Sequence, residues 1–569
     1  MFEPKVYSES MPVADLLVRA VAQRPDQAAF AMPGQSWTNK EIFEASCRMA
    51  QGLWALGARP GDRVGLLAPN SPEFLEGYFA TMLIGAVVVP INVRYRTVEL
   101  EYLINHAELS AVLTSDRIAD RTDFRALLDR ACPGLAGSDP GAPLDLRSAP
   151  SLRRVVMLRG ETGRGGVGAA DLAAAADDVA PEVIDAARRQ VSVRDVALIL
   201  YTSGTTASPR GCLLTHEALS RGPVGRTAEA VPFPEPVGER VMWVPTPMFH
   251  GGAMQAFLSA FGLGATFLTD VYFDPGRALE SMKQWRPTSL IPGFAGAFQP
   301  VLDHPGFAPE DFTQVSSVLA VGPADYLRRI QKIFPGAKLV NGTGMSEMAG
   351  HYCLSPMTDD DELRATSVGK PVAGVQMRVV NPFTGEEQPH DEPGELLLRG
   401  YPMMVGYFRD QEATARAVDA NGWLHTGDLF SRLPSGHYEF RGRMKDMLKV
   451  GGENVPAVDV ESYLCKHPSV GIAEVVGRPD GRLDEVPVAF IELVPGATAT
   501  ERELIEFCEG QLASYKVPRA IYFVKEGEWP MSASKIKKVD LRKRAAELMQ
   551  ATTVQRSTVQ TATAQTTTE

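Results

Sequence analysis

Val196-Ala-Leu-Ile-Leu-Tyr-Thr202-Ser-Gly-Thr-Thr-Ala-Ser-Pro-Arg-Gly211 is the stretch on which the fold turns. Val196–Leu200 is a continuous apolar run, the pattern of a strand buried on both faces. It runs through Tyr201 into a turn of hydroxyls and glycines that ends in the cation Arg210. Hydroxyls and backbone N–H groups can wrap phosphate oxygens, and a guanidinium can neutralise them. This is not a Walker loop, because the GxxxxGK[ST] spacing is not met from Gly204. A plain Ser/Thr-rich turn is the competing reading of the segment taken alone.

The chain before this turn alternates helix and strand signals. Val13, Leu16, Leu17, Ala20 and Val21 share a helical face that ends before Pro25. Thr38 and Glu41 form a capping box ahead of Ile42, Phe43, Met49 and Leu53, and Gly57 suits the helix stop. Val64–Ala68 and Ala86–Pro90 read as further buried strands. Alternation of this kind implies an α/β fold with a largely parallel sheet. Residues 131–190 are looser, first Pro/Gly-rich and then Ala-rich. Near Arg441–Asp446 a charged, glycine-punctuated segment leads into a smaller unit. There Ile472–Val476, Val486–Leu493 and Ile521–Val524 read as strands, and Thr500 with Glu503 caps a helix to about Leu512.

The expected division is therefore 1–442, 443–545 and a Thr/Gln-rich disordered tail, 546–569. A chain of 569 residues has room for about three or four domain-sized units. With 57 Lys+Arg against 69 Asp+Glu, the balance of −12 argues against a nucleic-acid binder. No apolar stretch is long enough to span a bilayer, and Met1–Ala20 lacks a secretory pattern, so a cytoplasmic location is expected. The six cysteines form no CxxC pair and the nine histidines no HxxH or HxxxH pair, so zinc is not expected.

Gly163-Arg-Gly165-Gly-Val-Gly168 matches GxGxxG. Its strand, Arg154–Leu158, is short and Arg-flanked, and no apolar strand ending in an acid follows at the dinucleotide-binding distance. A surface connection is the preferred reading.

The segment from Tyr201 to Gly211 resembles the YTSGTTGxPKG signature of adenylate-forming (ANL superfamily) enzymes, which include acyl-CoA synthetases, luciferases and nonribosomal-peptide adenylation domains. The resemblance extends over residues 10–545. Gly342-Thr-Gly-Met-Ser-Glu347 is similar to YGxTE, Gly394-Glu-Leu396 with Gly406-Tyr407 to GEL…GY, and Trp423-Leu-His-Thr-Gly-Asp428 to WxxTGD. Gly442-Arg-Met-Lys-Asp446 with Gly451-Gly-Glu-Asn454 resembles the family hinge and the loop after it, and Pro530-Met-Ser-Ala-Ser-Lys535 resembles PxTxxGK. The resemblance implies a large N-terminal domain of packed mixed and parallel sheets and a small mobile α+β C-terminal domain.

It also implies a reaction. A carboxylate attacks the α-phosphate of ATP, and a thiol, usually coenzyme A, then displaces AMP. By resemblance Thr202, Ser203, Gly204, Thr205, Thr206 and Arg210 hold the β- and γ-phosphates, and Gly342, Thr343 and Gly344 belong to the nucleotide site. Ser346 gives a hydroxyl to the α-phosphate and Glu347 binds Mg²⁺. Asp428 takes the ribose hydroxyls and Arg443 the ribose or phosphates. Lys535 is the catalytic lysine; taken alone, Lys535, Lys537 and Lys538 could equally be a solvated basic face. Asp446 is the hinge, and Gly451 and Gly452 line the thiol path. His250 and Gly251, with Gly293 and Gly322, line the acyl pocket. No Asp stands there to meet an amine, which argues against amino-acid substrates. The small wall residues point to a medium-to-long or bulky ring-containing acid.

Some positions depart from the family pattern. Ala207 replaces a glycine, Arg210 a lysine and Thr343 the adenine-stacking tyrosine. No glycine precedes Lys535, Pro456 is shifted, and Asp459 stands where Glu is usual. The leading reading is an AMP-forming acid–CoA ligase using ATP, Mg²⁺ and coenzyme A. The alternatives are a non-catalytic adenylate or acyl binder, and an acyl-AMP ligase serving a separate carrier protein. The partners expected are the small molecules, with no nucleic acid and no integral membrane segment; a homodimer is left open.

Overall fold

The computed structural model describes residues 10–118, 122–202, 209–222, 240–450, 453–480, 482–532 and 535–548. By its internal contacts the chain divides into two compact units, Met1–Met377 with Leu398–Leu424, and Arg378–Leu397 with His425–Glu569.

The first unit is built on two seven-stranded sheets. One runs in the order Arg210–Thr215, Val196–Thr202, Val87–Pro90, Arg63–Leu67, Ala111–Ser115, Arg154–Arg159, Val167–Gly168. Every neighbouring pair is parallel except Val196–Thr202 with Arg210–Thr215. The other runs Lys338–Val340, Ser317–Val321, Ser289–Phe294, Arg240–Trp243, Ala265–Leu268, Ala28–Met32, Gln35–Thr38, and is parallel except for its last pair. Parallel neighbours need long crossovers, and helices supply them. Helix Val13–Gln23 buries Val13, Leu16, Leu17 and Ala20 and leaves Val21 partly exposed. Thr38 and Glu41 form the expected capping box on helix Asn39–Ala55. The stretch read as loose contains helices Ala169–Ala176 and Pro181–Gln190, whose buried Leu172, Ala176, Ile184 and Ala187 give each a core face.

The GxGxxG stretch follows strand Arg154–Arg159 and precedes helix Ala169–Ala176, as a dinucleotide loop would. Its glycines serve the chain's own packing. Gly165 has φ +75°, and a Cβ there would overlap the Leu135 carbonyl oxygen. The Arg125 guanidinium donates to the carbonyls of Thr162 and Arg164, tying the loop down.

A four-stranded sheet is ordered Val375–Val380, Gly394–Gly400, Leu424–Arg432, Tyr438–Arg443. Position 442, the division expected from composition, lies in the last of these strands; there Asp428 faces Arg443 across an antiparallel pair. A second sheet runs Glu453–Pro456, Met447–Val450, Asp484–Leu493, Val470–Asp480, with Ile521–Phe523 parallel to Asp484–Leu493. Leu448, Val455, Val475, Ile491 and Leu504 fill one core, and Val476, Val488, Phe490, Leu541 and Ala545 another. Thr500 and Glu503 form a capping box, but the helix closes at Cys508, short of Leu512, where the chain turns through Gly510 at φ +73°. The helix over 538–548 runs past the start expected for the tail, because Leu541 and Ala545 are buried. Residues 549–569 lie outside the described residues.

Candidate active site

In the first unit, Thr202 and Arg210 stand opposite each other where strands Val196–Thr202 and Arg210–Thr215 meet. Ser203, Gly204, Thr205 and Thr206 lie outside the described residues. The free edge of strand Arg210–Thr215 is paired by the 405–408 segment. Val405 N–H donates to the Leu213 carbonyl at 2.9 Å, Leu213 N–H to Gly406 at 3.0 Å, and Phe408 N–H to Gly211 at 2.7 Å. This pairing brings Tyr407 beside Arg210, whose guanidinium carbon lies 5.6 Å from the ring centroid. Arg210 Nε is also 3.7 Å from the Asp410 carboxylate. The Tyr407 hydroxyl donates to Glu347 Oε1 at 2.9 Å, and Met404 N–H donates to the Glu347 carbonyl at 2.7 Å. Burial, reinforced by the Glu347 charge, pushes the Tyr407 hydroxyl well up, so it stays a donor. Tyr407 thus ties Glu347 to the strand that leaves the phosphate-type loop.

Ser346 and Glu347 sit on the one-turn helix Ser346–Met348, inside the hairpin of strands Gly342–Met345 and Gly350–Leu354. Gly342 and Gly344 lie on the first strand, packed against Leu354 and the Gly350 carbonyl. The Thr343 hydroxyl shares a 3.3 Å hydrogen bond with that of buried Tyr352. The turn leaves Ser346–Met348 through Ala349 at φ +48° and Gly350 at φ +116°, and a Cβ on Gly350 would overlap the Gln255 amide. Gln255 holds this turn: its Nε2 donates to the Ala349 carbonyl at 2.6 Å, and its Oε1 accepts from His351 N–H at 3.0 Å.

Gln255 lies on helix Gly251–Leu263, which begins immediately after His250. His250 packs on Phe249 with ring centroids 4.6 Å apart. Gly251 packs close against Leu200, on the strand that leads into the loop. Gly293 takes φ +78° beside Thr246, and Gly322 lies against the Tyr326 ring. The helix that begins at His250 and Gly251, two of the expected acyl-pocket residues, therefore also braces the turn that carries Glu347. The sequence alone assigns Tyr407 no role and does not single out Gln255. The Gly-Tyr pair was the signal for the first; Gln255 had no local signal.

In the second unit, Arg443 Nε lies 3.4 Å from Asp428 Oδ1. The strand segment before Asp428 is fixed by buried Glu395, which meets His425 Nδ1 at 2.9 Å and accepts from Gly427 N–H at 3.1 Å. Asp446 is held by Arg542 at 2.7 Å, and Arg542 also donates to the Lys445 carbonyl at 2.9 Å. Burial, then the Arg443 charge, hold the Lys445 ammonium below its usual value. Lys535 opens strand Lys535–Ile536, opposite Ser532. Gly451 and Gly452 lie outside the described residues. Lys538 belongs to no solvated face: it pairs with Glu461 and lies 3.4 Å from Glu474. Burial lowers its affinity for the proton, but the two carboxylates outweigh burial and hold it above the ordinary value.

Of the six cysteines four are buried, Cys47 is partly exposed and Cys465 is exposed; all six are free. Burial pushes the thiols of Cys212 and Cys353 well up, away from the reactive thiolate. Among the described residues no three His, Cys, Asp or Glu side chains cluster to hold a metal, and no helix is long and apolar enough to cross a membrane.

Comparison with known proteins bears on this arrangement. The model of the AMP-binding enzyme family matches residues 17–408, and that of the AMP-binding enzyme C-terminal domain matches residues 459–535. The chain is 33% identical over 523 residues to the 3-[(3aS,4S,7aS)-7a-methyl-1,5-dioxo-octahydro-1H-inden-4-yl]propanoyl:CoA ligase of Mycobacterium tuberculosis, covering 89% of this chain and 94% of the relative. It is 32% identical over 517 residues to the mitochondrial medium-chain acyl-CoA ligase ACSF2 of Rattus norvegicus, covering 89% and 82%. Among solved structures, ATP-bound MatB from Rhodopseudomonas palustris superposes with a TM-score of 0.79 at 26% identity, covering 94% of this chain and 99% of that one.

Proposed function

From the premise that the chain belongs to the AMP-binding enzyme family and is an AMP-forming acid–CoA ligase in type, we propose that its acid is medium-to-long-chain or a bulky ring-containing carboxylate. The relatives support this range, one being named for a fused-ring propanoyl substrate and another for medium-chain acids. The small residues Gly251, Gly293 and Gly322 support it from the chain's own side.

In this reading Arg210 and Thr202 take the terminal phosphates of ATP. Arg210 is held sideways by Asp410 and the Tyr407 ring, so its position is fixed before the nucleotide arrives. Glu347 fits a hard cation, since it offers a single carboxylate braced by the Tyr407 hydroxyl. Mg²⁺ commonly takes one or two protein carboxylates and completes its shell with phosphates and waters. When bound it would supply positive charge to the phosphate oxygens. Ser346 would donate its hydroxyl to the α-phosphate. Asp428 would accept from the ribose hydroxyls, with Arg443 steadying its carboxylate. Lys535 would follow charge from the attacking carboxylate to the α-phosphate. Asp446 would act as the hinge, and Gly451 and Gly452 would leave room for the thiol arm of coenzyme A.

The observation that carries the reading is the tie from strand Arg210–Thr215 through Tyr407 to Glu347, which sets a cation and a candidate metal carboxylate on one framework. A competitive panel of acids, from acetate to fused-ring propanoates, tests the substrate class with ATP, Mg²⁺ and coenzyme A. Preference for a medium, long or ring-bearing acid supports it; acetate as the best substrate overturns it.

A further inference from the structure

Pro209 has no N–H, so it cannot extend the antiparallel pairing of Thr202 with Arg210 toward the loop. Its carbonyl is taken instead by a helix. The Tyr102 hydroxyl, on helix Thr97–His106, donates to the Pro209 carbonyl at 3.1 Å. One turn on, His106 Nδ1 shares a 2.6 Å hydrogen bond with the Tyr201 hydroxyl. Residues four apart lie on one helix face, and here the two rings stack with centroids 5.1 Å apart. The Phe408 ring meets His106 edge-on at 6.1 Å, while Phe408 N–H bonds the Gly211 carbonyl. One helix face therefore grips the chain immediately before Thr202 and immediately before Arg210, the two described residues expected to hold phosphate.

We propose that Tyr102 and His106 are positioning residues for ATP: together they fix the separation of Tyr201 and Pro209, and so the aim of Thr202 and Arg210 at the terminal phosphates. The proposal rests on the ligase reading above. Neither residue touches the nucleotide in this account; both act through the backbone they hold. Burial, then the Arg409 charge, hold the His106 imidazole below its usual value, which keeps the ring neutral beside Tyr201.

The terminal phosphates matter to adenylation and leave with pyrophosphate, so thioester formation from supplied acyl-adenylate does not depend on their grip. Loss of one hydrogen bond of this kind changes an equilibrium by roughly two- to twelvefold. In the full-length protein, Tyr102→Phe is expected to raise KM for ATP about fivefold in pyrophosphate exchange. KM for the acid and the rate of thioester formation from acyl-adenylate are expected to stay within about twofold on the same hydrogen-bond argument. His106→Leu is expected to behave alike. His106→Asn, whose amide can stand where Nδ1 stands, is expected to restore most of the loss. Calorimetric ATP affinity, read without turnover, is expected to fall by the same ratio in Tyr102→Phe and His106→Leu.

Unchanged KM and affinity for ATP in both Tyr102→Phe and His106→Leu overturns the proposal. Equal damage to both half-reactions also overturns it, by reducing the helix to general support. A wild type that binds ATP but releases no pyrophosphate with any acid contradicts the ligase reading instead, and the affinity ratio then decides the positioning role alone. A wild type that binds no ATP overturns both.

Discussion

Replacing Tyr407 with Phe removes one hydroxyl and leaves the rest of its surroundings in place. The backbone pairing of 405–408 with strand Arg210–Thr215 does not use that hydroxyl, and the ring stays beside Arg210. What is lost is the 2.9 Å bond to Glu347 Oε1. Hydrogen bonds to a charged group contribute about 1.5–3 kcal/mol, and this half-buried one belongs at the low end, about 1.5–2 kcal/mol. That converts to roughly 10–30-fold in an equilibrium constant. If Glu347 holds Mg²⁺ and Tyr407 orients it, the Mg²⁺ concentration giving half-maximal pyrophosphate exchange should rise about tenfold on that scale, with KM for the acid unchanged. The assay is exchange at saturating ATP and acid, titrated with Mg²⁺. A wild-type Mg²⁺ curve in Tyr407→Phe would show that the hydrogen bond to Glu347 orients no metal site.

Buried His216 accepts from Val13 N–H at 3.0 Å, and burial pushes its value from 6.5 down to about 4. A lowered histidine stabilises fully above its unfolded value and loses that contribution as pH falls through the folded one; by linkage the loss at pH 5 is about 2 kcal/mol, measurable by urea unfolding and absent from His216→Gln. Gly165→Ala forces a left-handed alanine into the Leu135 carbonyl and should cost about 2–4 kcal/mol of stability while leaving KM for ATP unchanged. A tenfold or greater rise in that KM would return the GxGxxG stretch to the nucleotide. Lys535→Ala should cripple adenylation far more than thioester formation from supplied acyl-adenylate, and equal losses in separate half-reaction assays would break its assigned role.

Local rules carried the sequence reading as far as local forces act. The Thr38–Glu41 and Thr500–Glu503 boxes form because each satisfies its own helix end within four residues. The run Val196–Leu200 is a strand buried on both faces because parallel sheets are covered on both sides. What local pattern could not show depends on partners distant in sequence. Lys538 looks like part of a basic face beside Lys535 and Lys537, yet its carboxylate partners Glu461 and Glu474 arrive from another helix and strand. Tyr407 acquires its role from Glu347, sixty residues away in the chain. Gln255 is polar on a mostly apolar helix, and the turn at Ala349–His351 explains it. The helix ends at Cys508 for a local reason, the left-handed Gly510, whereas the continuation to 548 is tertiary and follows from burial of Leu541 and Ala545.

This chain is expected to split ATP at the α-phosphate, activate an acid and hand it to coenzyme A. Mass spectrometry of all nucleotide and thioester products, from the full-length protein with ATP, Mg²⁺, coenzyme A and a mixed acid library, tests it most directly. The expected products are AMP, pyrophosphate and total acyl-CoA in equal amounts, the acyl groups drawn from medium, long or ring-bearing acids. ADP with inorganic phosphate, or no acyl-CoA from any acid, would contradict it.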